Sequence, residues 1–91
     1  MIVHYRRHPE LRLAALEDDG VVLHLGTRRY YTASESGLAM LEALASPRTP
    51  DELVALLCDR YEVTVERAEA SVGRFLDHCV RAKLLTMDAD A

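Results

Sequence analysis

No apolar run in this 91-residue chain approaches the roughly 20 residues needed to cross a bilayer, so no transmembrane helix is expected. Met1-Ile2-Val3-His4-Tyr5-Arg6-Arg7 places its charge after its apolar residues and has no small-residue cleavage site. That is not a signal peptide, and the chain reads as cytoplasmic with no membrane partner. Cysteine is scarce as well. Cys58 and Cys79 each fall within a helical pattern, on or near its apolar side, where a free thiol behaves as a small hydrophobe. Without a secretion signal, no disulfide is expected. Positive charge is not in excess either: a net charge of −4 argues against a general nucleic-acid surface.

Catalytic signatures are missing too. There is no CxxC, HExxH, P-loop or GxSxG pattern. His4 and His8 have the spacing of two metal ligands on a helix, but Pro9 breaks such a helix and no third ligand lies nearby. His78 and Cys79 are adjacent, so on a helix they point about 100° apart and cannot share a site. Glu17-Asp18-Asp19 clusters carboxylates in a turn, where they are solvated. No Asp-Ser-Leu tripeptide is present to carry phosphopantetheine, which sets aside an acyl carrier protein. The expectation is a non-enzyme with no metal and no cofactor.

What remains is one small folded domain, 49% hydrophobic and 29% charged. Residues 1–9 read as a flexible arm ended by Pro9, residues 10–86 as the domain, and residues 87–91 as a polar tail. Leu11, Leu13 and Ala15 alternate with their neighbours as a weak first strand. Glu17-Asp18-Asp19-Gly20 follows as a turn, with Asp-Gly as its strongest element. Val21 to Leu25 is a second strand and Arg28 to Ala33 a third, joined around Gly26-Thr27.

Everything after that reads as helix. Ser34 caps a first helix that Ser46-Pro47 ends. Thr49-Pro50-Asp51-Glu52 opens a second with a capping box and proline at the first helical position. Thr64 caps a third, with Val65, Ala68, Val72, Phe75 and Cys79 as its core stripe and Glu69, Gly73, Leu76 and Val80 on one side of that stripe. Leu84-Leu85 closes the domain. The fold class is α+β: a three-stranded antiparallel sheet followed by three helices, like a small winged helix-turn-helix. Its third strand lies at an edge, with backbone groups that another strand can take up.

Two features favour a winged-helix regulator of DNA, the three helices and Arg28-Arg29 at a hairpin. Two oppose it. Arg67, Arg74 and Arg81 alternate along the third helix with Glu66, Glu69 and Asp77, and the hairpin precedes the helices rather than following them.

A Gly-Val-Val-Leu strand, an Arg-Tyr-Tyr strand, a Ser-Glu-Ser-Gly helix start and a Thr-Pro-Asp-Glu-Leu helix occur in order. Tyr61-Glu62-Val63, Phe75-Leu76 and Leu84-Leu85 follow. Over residues 12–85 this pattern resembles the PqqD-like family of RiPP recognition elements, most of all the stand-alone leader-binding proteins of lasso peptide biosynthesis. The resemblance implies a non-catalytic adaptor that binds the leader of a ribosomally made precursor peptide as an extra strand, in the groove against the third helix. A leader peptidase and a cyclase of the same pathway would be its further partners. An adaptor of the pyrroloquinoline-quinone type, presenting its peptide to a radical SAM enzyme, is the alternative within the family.

Carried over by position, Arg28, Arg29, Tyr30, Tyr31, Thr32 and Ala33 supply the strand edge. Glu69, Val72, Gly73, Leu76 and Val80 would face the groove. The family often has glycine where Arg28 and Lys83 stand, and a leucine and an aromatic where Ala33 and Leu41 stand. Tyr30 and Tyr31 point to opposite faces, one of them into the core. An open edge also permits two copies of the chain to pair as a homodimer.

Overall fold

The computed structural model describes residues 2–89. Five strands and three helices run in the order β1 (Val3–Arg7), β2 (Leu11–Ala15), β3 (Asp19–His24), β4 (Arg29–Ser34), α1 (Glu35–Ala43), α2 (Pro50–Arg60), α3 (Val65–Arg81) and β5 (Leu85–Ala89). β2, β3 and β4 form the expected antiparallel meander, with β4 at its edge. A second, two-stranded sheet pairs β1 with β5.

That second sheet lies where the arm and the tail were expected. Tyr5 and Arg48 exchange backbone hydrogen bonds of 2.7 and 2.9 Å, and the Arg7 N–H donates to the Leu44 carbonyl. The His8 N–H donates to Leu84 in the same way. The reason is tertiary: β1 finds its partner in β5 at the far end of the chain, so neither shows a hairpin signal of its own. Residues 90 and 91 of the expected tail, and Met1 of the expected arm, lie outside the described residues.

The first hairpin also differs from its expected form. The Leu16 N–H bonds to the Asp19 carbonyl, and Gly20 stands within β3 opposite Ala15 and Ala33 rather than in the turn. A Cβ on Gly20 would lie 2.8 Å from a Leu38 methyl, so glycine is there to let α1 approach the sheet. The second hairpin closes over Leu25 to Arg28, whose N–H donates to the His24 carbonyl. Buried His24 accepts the N–H groups of Gly26 and Thr27 on its Nδ1, at 3.1 and 3.2 Å, which fixes the loop.

Arg28 and Lys83 have φ of 62°, the left-handed conformation that glycine tolerates best. These are the two positions where the resemblance led one to expect glycine. The chain keeps the backbone shape and replaces the residue.

The three helix starts agree with the sequence. Ser34 accepts from the Gly37 N–H, Thr64 from the Arg67 N–H, and Thr49 with Glu52 forms the reciprocal capping box. The bond from the Thr49 backbone N–H leads in holding the Glu52 carboxyl below its ordinary value. The core gathers Leu11 and Val22 from the sheet, Leu41 from α1 and Leu44 from its C-cap, Leu53 from α2 and Val72 from α3, all 3% exposed or less. Both thiols are free, and burial pushes the Cys79 thiol up to about 11. Among the described residues no helix is long and apolar enough to cross a membrane.

Candidate functional site

The pleat of β4 decides which tyrosine is available. Tyr31 and Ala33 pack against the core, while Tyr30 stands 73% exposed on the opposite face, across from Leu23 of β3. Arg28 and Arg29 are exposed at the hairpin end, and Thr32 at mid-strand. Among the described residues no strand pairs with the outer side of β4, whose backbone groups there face an open edge.

The helix wall of this edge is less direct. α3 turns about 100° per residue, and its inward stripe of Ala68, Val72, Leu76 and Cys79 is buried. Two flanks leave that stripe in opposite directions. Phe75 lies on the flank toward β4: a Cβ on Gly37 would meet Phe75 Cε1 at 3.8 Å and the Ala33 Cβ at 3.9 Å. Ser71, one turn earlier, lines a cavity of about 330 Å³ with Ser34 at the end of β4, with Glu35 and Ser36 of α1, and with Leu57, Tyr61 and Val63. His78 falls on this flank as well, and Arg67 and Arg74 at its outer margin.

Glu69, Val72, Gly73, Leu76 and Val80 fall elsewhere. They line a cavity of about 480 Å³ closed by the start of α2 and by Tyr5 and Met87 of the two-stranded sheet. No residue of β4 contributes to it. The structure therefore keeps the two halves of the expected site apart. The strand half stands at the open edge and the helix half lies around the far side of α3. Leu76 and Val72 are also core residues, 5% and 2% exposed.

Tyr61, Val63 and Ser71 stand with Ser34 at the end of β4, and Phe75 stands near Ala33; none of the four is among the residues expected at the site. Their signal was within reach. Arg67, Arg74 and Arg81 are seven residues apart, so they form one stripe within about 40° on the helix surface, although they alternate with acids along the chain. The acids Glu66, Glu69 and Asp77 turn toward the other flank, and Asp77 meets Arg81 at the boundary, 3.3 Å away. Hence the arginines gather on the outward face of α3, while Glu69 and Asp77 turn toward the start of α2 and the second sheet.

Nothing in this arrangement resembles a reaction centre. His8 and His24 stack with ring centroids 4.5 Å apart, but the Nδ1 atoms of both accept backbone N–H groups. Among the described residues no three His, Cys, Asp or Glu side chains cluster so as to hold a metal ion. The site offers hydrogen bonds, apolar contact and positive charge, which are means of binding.

Residues 19–85 match the family profile described as Coenzyme PQQ synthesis protein D (PqqD). No curated protein matches the chain. Two solved structures share its fold. The first, "TbiB1 in Complex with the TbiA(beta) Leader Peptide", has a TM-score of 0.79 and 27% identity, and the match covers 93% of this chain and 99% of that one. The second, "Lasso peptide synthetase B1 complexed with the leader peptide", has a TM-score of 0.74 and 18% identity, with 90% and 96% covered.

Proposed function

The chain belongs to the PqqD family, and from that premise we propose that it is a non-catalytic adaptor for the leader segment of a ribosomally made precursor peptide of the lasso type. The guest adds to the outer edge of β4 as an antiparallel strand and rests its side chains against the Ser71–Phe75 flank of α3. The adaptor then delivers the precursor to a leader peptidase and a cyclase. The carrying observation is the open edge of β4, six residues long and faced by a half-buried phenylalanine.

Backbone pairing supplies affinity without sequence preference, so side-chain contacts must select the guest. Tyr61, Val63 and Phe75 offer apolar contact beside the strand. Arg28, Arg29, Arg67 and Arg74 favour carboxylates, although each exposed pair contributes only about 0–1 kcal/mol. The preferred leader therefore joins aromatic or aliphatic anchors to acidic residues. That preference, with the formal charge of −4, opposes the reading as a DNA-binding regulator. Without a guest, the same edge is free to pair with a second copy of the chain.

The test is a calorimetric titration with the leader encoded beside this gene, followed by amide hydrogen exchange. Binding with a Kd of about 0.1–10 μM and new protection at Arg29 to Ser34 are expected. Absence of heat together with unchanged exchange in β4 would overturn the proposal. So would retention of duplex DNA at physiological salt.

A further inference from the structure

The cavity on the acidic flank of α3 is separate from the β4 edge and differs from it in chemistry. Val54, Val72, Leu76 and Val80 form its floor, and Tyr5 and Met87 its wall. Its rim carries three carboxylates, Asp51, Glu69 and Asp77, and neither lysine nor arginine lines it. Asp77 already meets Arg81 outside the cavity, which leaves Asp51 and Glu69 as the stronger part of the rim.

Gly73 lies within α3, where glycine costs about 1 kcal/mol against alanine. A Cβ there would meet nothing within 4 Å, so packing inside this chain does not require glycine. The same absence of a side chain leaves the helix backbone open to close approach from outside. Met87, 53% exposed on the opposite wall, is a flexible apolar side chain of the kind that adapts to a guest.

We propose that this cavity is a second docking site, for a cationic amphipathic segment of a protein partner. An aliphatic side chain of that segment lies over Gly73 between Val54 and Val80. Arginine or lysine side chains on either side of it meet Asp51 and Glu69. An acidic or neutral segment would leave the rim carboxylates facing like charge or none, which sets the sign of the partner. Because no residue of β4 lines the cavity, this segment and a strand at β4 can be bound together.

The test uses the whole chain, ¹⁵N-labelled, and two short synthetic peptides with the same leucine spacing. One carries arginine and lysine at its polar positions, the other glutamate and aspartate. The basic peptide is expected to shift the amides of Val54, Gly73 and Met87 while those of Arg29 to Ser34 stay in place, and to bind more weakly as salt is raised. Gly73→Leu fills the cavity and should weaken the basic peptide by about tenfold without changing the leader titration at β4. Glu69→Lys, at an exposed position, should weaken it in the same direction. Equal binding of both peptides, no shifts with the basic peptide, or shifts confined to β4 would overturn the proposal. The leader titration is independent of all three outcomes, so failure here is distinguishable from failure at the β4 edge.

Discussion

The two flanks of α3 share one backbone and one buried stripe, yet they present opposite surfaces. Toward β4 the helix offers Ser71 and Phe75, with arginines at the outer margin, beside a strand whose outer side is unpaired. Toward α2 and the second sheet it offers Glu69, Gly73 and Val80 over a cavity rimmed by carboxylates. The first flank has an open backbone ladder to extend. The second meets α2 and the β1–β5 sheet around a cavity. The same helix can therefore take an extended guest on one side and an anchoring side chain on the other, with charge keeping the two guests apart.

The largest disturbance to this contrast comes from the stripe beneath both flanks. Leu76→Ala removes a side chain that is 5% exposed, and it should cost about 2–5 kcal/mol in urea unfolding while weakening both sites together. Reversing one flank is a smaller and selective change. Arg67→Glu with Arg74→Glu should weaken an acidic leader by about tenfold, roughly 1.4 kcal/mol, in calorimetry at low salt and leave the basic peptide's affinity unchanged. An equal loss at both sites would mean that the flanks are not electrically distinct.

Smaller still is the backbone strain at the ends of this frame. Arg28→Gly and Lys83→Gly should each raise thermal stability by about 1 kcal/mol, because both residues hold a left-handed φ. Arg28→Gly should also lower leader affinity slightly, separating the residue's charge from its strain. The smallest effect concerns the thiols. Cys58, half-buried, should react with a disulfide reagent at pH 8 well before Cys79 does. Ionisation of Cys79 is opposed by burial, so the folded state holds that proton more tightly than the unfolded chain. Its stabilising contribution is complete below a pH of about 9 and is lost as pH rises toward 11.

Much of this frame was legible in the residues. Thr49-Pro50-Asp51-Glu52 announces a helix start through local hydrogen bonds, and the structure has that capping box. The segments Val21 to Leu25 and Arg28 to Ala33 located the two strands of the β3–β4 hairpin to within two residues at every end. Arg28 and Lys83 stand where the resemblance implies glycine, and both sit at positive φ. The site was less legible. Glu69, Gly73 and Val80 share a flank, as helical spacing requires, but spacing says nothing about which neighbour that flank meets. Gly20 reads as a turn residue in sequence because its packing partner, Leu38, lies outside any local window. Val3 to Arg7 lacked a strand signal because its ladder partner stands at the other end of the chain.

The sequence by itself determined the caps, the seven-residue spacing of the α3 arginines and most of that helix's core stripe, although Val65, expected in the stripe, is 54% exposed and Leu76, expected beside it, is buried within it. The caps and the spacing follow from rules that act over one or two turns. Only the tertiary structure decided that β1 and β5 form a second sheet, that Tyr30 rather than Tyr31 is exposed, and that the Ser71–Phe75 flank of α3 lies toward β4. Those outcomes depend on how far-separated segments bury their apolar faces against one another, and a helix or strand considered alone has no partner to face.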